Sequence, residues 1–217
     1  MPAANINPLI LPLGDHGLLV RFGDSLSEPA NEAAIAFGRT AEVAGLPGVV
    51  EVVPNLVSVL LNYQPEVMGF ERLAGEVRLL VSGPAAASIA SGSHTVGVQF
   101  DGEDIGEVAA ATGLSAAAFV EAHNAAALRV LATGFAPGFI YCGFHPAALH
   151  LPRRAEVRRQ VPAGTVLFAA GQTAITSTPI PTGWHVIGRT EFRNFDPAAD
   201  PPTRVRAGDA VRFEARS

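Results

Sequence analysis

The pattern of apolar and polar positions in the first third of the chain predicts alternating strands and helices. The runs "GLLVRFG", "VVEVV" and "LVSVLLNY" are short and apolar, as strands are, and the last two predict a strand pair. A helix is predicted between the first and second runs, because Ser27 is a good N-cap and Gly45 with Pro47 favours the end of a helix. The apolar positions of this helix recur at helical spacing: Ala33, Phe37, Ala41 and Ala44.

A second helix is predicted over residues 66–75, followed by a closing strand, "EVRLLVSG". The resulting βαββαβ order predicts a small ferredoxin-like α+β domain over residues 1–84. The stretch Ser82 to His94 is rich in Gly, Ser and Ala, which is typical of a linker, so a second domain is predicted over residues 85–217.

The second domain is predicted to be rich in β-structure. After the strand "HTVGVQF", Leu114 and Ser115 open a helix that runs through His123 to about Ala127, with Leu114 stapled to Phe119. Four short apolar runs punctuated by Gly and Pro follow: "LRVLATG", "GTVLFAAG", "HVIGRTEF" and "DAVRFEA". Short strands at such spacing predict a closed barrel or a sandwich with one or two helices attached.

Composition narrows the chemistry. The chain has 217 residues, a net charge of −5 and no lysine, so it lacks a Schiff-base or P-loop lysine and the positive excess of a nucleic-acid binder. Cys142 is the only cysteine, which excludes an internal disulfide and a zinc site built on thiolates. Pro8 and Pro12 interrupt the N-terminal segment, which lacks a basic region, so we expect no signal peptide and a cytoplasmic protein.

The stretch "GFAPGFIYCGF", residues 134–144, predicts a shaped loop. Its glycines can adopt positive φ, and Phe135, Phe139 and Tyr141 would project from it. Such a loop can wall a pocket or plug one end of a barrel, and the residues alone favour neither.

Arginines follow in "PRRAEVRRQVPAG" and form a candidate anion site, since guanidinium groups bind carboxylates and phosphates bidentately. A solvated loop is the alternative. Polar Gln172 and Thr173 follow a glycine, and Arg189 stands in an apolar context where it must be paired or contact a ligand. The histidines form no metal-binding or triad spacing, and a single inward His123 is typical of a core residue. Cys142 is expected to be a buried packing residue.

These motifs resemble a known family. "GFAPGFIYCG", "LPRRAEVRRQVPAGTVLFAAGQTAI" and "GWHVIGRTEFRNFDP" are similar to the B-type subunit of bacterial 5-oxoprolinase. That family is also known as allophanate hydrolase subunit 1, includes Kip-type inhibitors of sporulation kinases, and is related to the carboxyltransferase domain of urea carboxylase. The likeness covers nearly the whole chain in order.

The resemblance implies a cyclophilin-like β-barrel as second domain and a heteromer with the C-type and A-type subunits of the same enzyme. It implies ATP-dependent opening of the lactam 5-oxoproline to glutamate, with Mg²⁺ accompanying ATP and no protein-bound metal. Two alternatives stay open: a regulatory protein that inhibits a histidine kinase, and part of an enzyme that acts on allophanate or another urea derivative.

The resemblance also implies site residues. Arg189 and His123 would be catalytic, and the remaining matches would bind substrate: Phe135, Pro137, Gly138, Phe139, Arg153, Arg158, Gln172, Thr173 and Trp184. The sequence departs from the family pattern at Ile140, at Val157, at Ala170 (the first Gly of G-G-Q-T) and in "ITSTPIPTGW".

Overall fold

The computed structural model describes residues 7–83 and 91–216 of the chain. The chain divides into two compact units, residues 1–90 and 91–217. The predicted domain boundary after residue 84 and most of the predicted linker fall in residues 84–90, outside the described residues. The last residues of the predicted linker, Ser93 and His94, already belong to a strand.

The first unit is a four-stranded antiparallel sheet with two helices. Its elements are β1 (Leu9–Leu13), β2 (Gly17–Arg21), α1 (Glu28–Ala44), β3 (Val49–Pro54), β4 (Ser58–Tyr63) and α2 (Phe70–Ser82). The strand order is β1-β2-β4-β3. The predicted first helix and the predicted strand pair are confirmed, and α1 ends at Gly45, which takes a left-handed φ of 55°.

The predicted closing strand "EVRLLVSG" is wrong, because these residues continue α2 to Ser82. Leu73 and Val77 are fully buried one helical turn apart, and Leu80 and Val81 pack against the same core, which is helical rather than alternating spacing. The edge position beside β2 is instead filled by β1, from the N-terminal side. The predicted βαββαβ order therefore does not occur, and a ferredoxin-like domain is not confirmed.

The second unit is built on a seven-stranded sheet. The strands of this unit, including those outside the large sheet, are β5 (Ser93–Val98), β6 (Leu128–Thr133), β7 (Ile140–Gly143), β8 (Arg158–Val161), β9 (Thr165–Ala169), β10 (Gln172–Ile175), β11 (Ile180–Thr182), β12 (His185–Arg189) and β13 (Ala210–Ala215). The large sheet has the order β12-β9-β10-β7-β6-β13-β5, and β8 and β11 form a separate two-stranded ribbon.

The two edges of the large sheet curl towards each other and meet. Gln99, just after β5, and Arg189, at the end of β12, exchange two backbone N–H···O bonds of 2.9 Å. We call this junction the seam. A mixed helix and strand unit with a curled sheet is thus confirmed, and the name cyclophilin-like stays a prediction.

Helices cover one side of the curled sheet. The predicted helix after Ser115 is α4 (Ala116–Asn124), shorter than expected, and Ser115 Oγ accepts a hydrogen bond from the Ala118 N–H. Helix α3 (Ile105–Ala111), which precedes it, was not predicted. A 3₁₀ turn spans Ala147–Leu149.

Strands β7, β9, β10 and β12 of the curled sheet separate two apolar clusters. The inner cluster, the main core, contains Ile140, Phe168 and Ile175, whereas the outer cluster contains Leu167, Ala174 and Trp184. This alternation follows the two-residue period of a strand. Cys142 lies in the inner cluster and is fully buried, as predicted.

Within the described residues no single helix has the length and hydropathy needed to cross a bilayer. The pair α3 and α4, bent by 82°, would meet those criteria jointly by length and composition.

Candidate functional site

A row of aromatic side chains runs along the outer face of the curled sheet. Ring centroids are 5.6 Å apart for Phe135–Phe139, 4.7 Å for Phe139–Tyr141 and 5.9 Å for Tyr141–Trp184. The Arg153 guanidinium carbon lies 5.6 Å from the Trp184 ring centroid, within cation–π range. We call these five residues the aromatic row. Each ring pair is edge-on or T-shaped, as the ring quadrupole favours.

The two ends of the aromatic row are exposed and its middle is covered. Phe135 is 71% exposed, whereas Phe139 and Trp184 are buried and Tyr141 is half-buried. Burial raises the pKa of Tyr141, and nearby Arg153 opposes that shift. The Tyr141 hydroxyl therefore keeps its proton at neutral pH and can donate a hydrogen bond.

The turn between β6 and β7 presents Phe135 in a strained conformation. Phe135 has φ of 76°, a region costly for a residue with a side chain. The turn is closed by the Gly134 N–H, which donates to the Phe139 carbonyl at 3.1 Å, and by Ser177 Oγ, which donates to the Gly138 carbonyl at 3.0 Å. A Cβ at Gly138 would meet Ser177 Oγ at 2.7 Å, so only glycine fits there. The predicted shaped loop is confirmed, although Tyr141 lies on β7 rather than in the loop.

Gln172 belongs to the same outer face. It is one residue from inward-facing Thr173, and strand alternation places it on the side of Tyr141 and Ala174. Its Oε1 is buried and accepts no hydrogen bond from the described residues. A buried acceptor without a donor is costly, which makes Gln172 Oε1 a candidate acceptor for water or for a ligand N–H.

Thr173 links two buried histidines on the inner face. Its Oγ1 lies 2.8 Å from His123 Nε2 and 2.8 Å from His145 Nε2. His123 Nδ1 lies 2.7 Å from Asn124 Oδ1, and an amide oxygen can only accept, so Nδ1 carries the His123 proton. His123 Nε2 then accepts from the Thr173 hydroxyl, whose oxygen accepts from His145 Nε2–H. We call this chain the histidine pair.

Aromatic rings surround the histidine pair and keep both imidazoles neutral. His123 is 1% exposed and has Phe100 and Phe213 rings at 5.4 Å and 5.3 Å, while Phe168 lies 5.2 Å from His145. Burial lowers the pKa of His123 to about 4, although the hydrogen bond to Asn124 opposes it. Burial and then the neighbouring His123 lower the pKa of His145 to about 3. Such weak bases are poor general bases at neutral pH. The geometry favours a role for His123 in positioning Thr173 and β10.

The arginine-rich segment is held by one buried carboxylate, Asp104, directly before α3. Arg158 donates Nη1 and Nη2 to the two Asp104 oxygens at 2.7 and 2.8 Å, and Arg154 Nη1 donates at 2.7 Å. The Val186 N–H donates to the same group at 2.7 Å. These bonds and charges hold the pKa of Asp104 below its usual value, although burial alone would raise it. Arg158 also pairs with Glu103 at 2.8 Å, so its guanidinium is occupied by the two acidic residues that precede α3.

Arg189 is not buried, contrary to the premise that an apolar context would enclose it. It is 67% exposed at its side chain; its Nε donates to Asp101 Oδ2 at 2.9 Å, and its Nη2 lies 2.9 Å from the same oxygen in an ion pair. It lines an open cavity of about 730 Å³ beside the seam. Among the predicted site residues that the structure describes, Arg189 is the one that lines this cavity.

The predicted site residues therefore fall into four places. The turn and the outer face bring together most of the predicted substrate-binding residues: Phe135, Pro137, Gly138, Phe139, Arg153, Gln172 and Trp184. His123 and Thr173 lie on the inner face, Arg158 lies on Asp104, and Arg189 lies at the seam.

His145 and Asp104 were not predicted as site residues from the sequence. His145 follows β7 and meets Thr173 of β10, so its partner is 28 residues away and no local spacing reveals it. Asp104 had a local signal, since an acidic residue precedes the apolar helical pattern of α3. Within residues 7–83 and 91–216, no group of three or more His, Cys, Asp or Glu side chains could hold a metal ion.

A family model and three named proteins match this chain over most of its length. A family model for the carboxyltransferase domain, subdomain C and D, matches residues 8–205. A protein named as the B subunit of 5-oxoprolinase, from Escherichia coli O157:H7, is 38% identical over 77% of this chain and 78% of its own length. Its namesake from Bacillus subtilis is 31% identical over 93% and 90%, and that from Haemophilus influenzae 29% over 94% and 96%.

Solved structures agree on the fold. TTHA0988 is 36% identical with a TM-score of 0.82 over 93% of this chain, which spans 40% of that protein. The conserved uncharacterized protein PH0987 from Pyrococcus horikoshii is 32% identical with a TM-score of 0.56, covering 96% of this chain and 98% of its own. Kluyveromyces lactis urea carboxylase is 14% identical with a TM-score of 0.76, over 97% of this chain and 22% of that one, which shows a shared fold alone.

Proposed function

Since the chain belongs to the family of the 5-oxoprolinase B subunit, whose members share the carboxyltransferase domain (subdomain C and D), we propose that it is one component of an ATP-dependent enzyme that opens 5-oxoproline to glutamate. The observation that carries the proposal is identity of 29–38% over most of the chain to three proteins that bear this name. Its partners would be homologues of the C-type and A-type subunits of that enzyme.

The chemistry suits an enzyme without a catalytic triad. A lactam carbonyl is a weak electrophile, and transfer of the γ-phosphoryl group of ATP to its oxygen activates the carbon. One water then adds to that carbon as the C–N bond breaks, which leaves an acyl phosphate. A second water releases phosphate and glutamate. Such a sequence depends on positioning and positive charge more than on a strong base.

The outer face offers the groups that a small lactam acid requires. A flat five-membered ring can lie against the half-buried ring of Tyr141, and the exposed guanidinium of Arg153, which lies over Trp184, can take the carboxylate. The unpaired Gln172 Oε1 can accept the lactam N–H. In this proposal the histidine pair fixes β10 from the inner side and so fixes Gln172.

Reconstitution tests the proposal. The chain is co-expressed with homologues of the C-type and A-type subunits, and ADP and glutamate are measured with and without 5-oxoproline. We expect a stable heteromer and ADP release that depends on 5-oxoproline and on this chain. A mixture that forms no complex and shows no such turnover contradicts the proposal. ADP release with another lactam or with a urea derivative alone would contradict the substrate and retain the class of complex.

A matched pair of variants tests the outer face. Arg153→Gln should raise the KM for 5-oxoproline about tenfold, because a hydrogen bond to a charged group contributes about 1.5 kcal/mol or more. Arg159→Gln removes the same charge from an exposed position of β8 and should leave KM unchanged. Equal effects of the two variants would show that Arg153 does not bind the carboxylate.

A further inference from the structure

The cavity beside the seam, which we call the seam cleft, is a second candidate site, separate from the outer face. It has a volume of about 730 Å³, within the range of pockets that hold organic ligands. Its walls come from β5, from the turn between β8 and β9, from the segment after β12 and from the end of β13. Four charged side chains line it: Arg189, Glu191, Arg193 and Arg216. A chain of net charge −5 thus places three arginines against one glutamate in a single concavity.

Arg193 is fixed in the cleft by backbone carbonyls rather than by a carboxylate of the described residues. Its Nη1 donates to the carbonyl oxygens of Thr190 and Phe192 at 2.8 and 3.0 Å, and its Nη2 donates to that of Ala163 at 3.3 Å. These contacts leave two of its five N–H groups without a partner among the described residues. Neutral carbonyls orient the guanidinium and leave its positive charge available to a ligand.

Arg216 is placed by the missing side chain of Gly97. A Cβ on Gly97 would overlap the Arg216 guanidinium, so this side chain lies directly against the backbone of β5. No salt bridge to Arg216 occurs within the described part of the chain. Gly164, with φ of 83°, similarly leaves room for Arg193. Two glycines therefore make space for two arginines, and backbone carbonyls orient Arg193 before any ligand arrives.

We propose that the seam cleft binds an organic anion of the phosphate class that carries two or more negative charges. Guanidinium groups match phosphate oxygens bidentately, and two of them lack a carboxylate partner within the described residues. A single inorganic phosphate would fill a small part of the cleft, which fits an extended ligand such as the polyphosphate of a nucleotide. Binding is measured with this chain alone, so its outcome is independent of the turnover proposed above.

Calorimetric titration of the full chain tests the site with three probes: sodium tripolyphosphate, ATP and the uncharged adenosine. We expect saturable binding of tripolyphosphate and ATP, and no binding of adenosine alone. ATP binding tighter than tripolyphosphate identifies a nucleotide site, and equal affinities identify a site for the phosphate chain. Absence of saturable binding for both anions overturns the inference.

Three variants separate a built site from general charge attraction. Arg216→Gln should weaken binding about tenfold. Gly97→Ala displaces the same guanidinium without changing the net charge and should weaken binding to a similar extent. Arg72→Gln removes a charge from an exposed position of α2 in the other unit and should have no effect. If all three variants bind like the parent chain, or if Gly97→Ala binds unchanged, the inference is overturned.

Discussion

Acidification should destabilise the second unit through the histidine pair. The pKa of His123 is about 4 and that of His145 about 3 in the folded chain, against about 6.5 when unfolded. Between those values the unfolded chain binds protons that the folded chain does not. Stability is therefore fully present above about pH 7 and falls as the pH drops through 6.5. Linkage gives a loss of about 2 kcal/mol for each histidine at pH 5, or about 4 kcal/mol together.

The only tryptophan provides a selective assay. Trp184 is buried in the second unit, so its fluorescence during urea unfolding reports that unit. The free energy of unfolding should fall by about 4 kcal/mol between pH 8 and pH 5. The pKa values of Asp104 and Asp209 lie below their usual range. Protonation of these two carboxyl groups therefore lowers the free energy of unfolding only below this pH range.

An NMR titration of the unmodified chain tests the pKa values of both histidines directly. In an NMR titration of the histidine Cε1–H groups, the His123 and His145 resonances should stay constant from pH 8 to pH 5. Nitrogen shifts should place the proton of His123 on Nδ1 and that of His145 on Nε2. A midpoint near pH 6.5 for either resonance would contradict the burial argument. The variant His123→Gln/His145→Gln, if it folds, should lose most of the pH dependence.

Three further predictions concern particular residues. Ala170 occupies a left-handed turn position, with φ of 52°, so Ala170→Gly should stabilise the unit by about 0.5–1 kcal/mol in urea unfolding, whereas Gly171→Ala should destabilise it. Asp104→Asn should lower the free energy of unfolding by about 2–4 kcal/mol, because Arg154 and Arg158 lose their shared carboxylate. An unchanged midpoint of urea unfolding would contradict the structural role of Asp104. Arg189→Lys should lower turnover of the reconstituted complex with the melting temperature within about 2 °C, since an exposed ion pair contributes little; a large drop in melting temperature would identify a structural ion pair.

Local signals predicted most elements, and tertiary packing decided the failures. Helix α1 was predictable because Ser27, Gly45 and the apolar spacing agree. The segment after Gly75 was mistaken for a strand because "EVRLLVSG" is apolar and short, although Leu73 and Val77 continue a helical face. Helix α3 is only seven residues long and was missed.

The candidate site could be predicted in part. The glycine and aromatic residues of the turn after β6 correctly indicated a shaped loop, since glycine and proline act locally. The sequence could not show which arginines of the cluster are free to bind a ligand. The contact of Arg153 with Trp184 and that of Arg158 with Asp104 both depend on residues distant in sequence. The histidine pair is joined by Thr173 across long separations and leaves no local pattern.

The most direct test of the proposed function is ADP release by the three purified components, measured with 5-oxoproline and with this chain omitted in turn. We expect ADP release that requires both 5-oxoproline and this chain, with one glutamate formed for each ADP. Equal ADP release with and without this chain, in a mixture that converts 5-oxoproline, would contradict it.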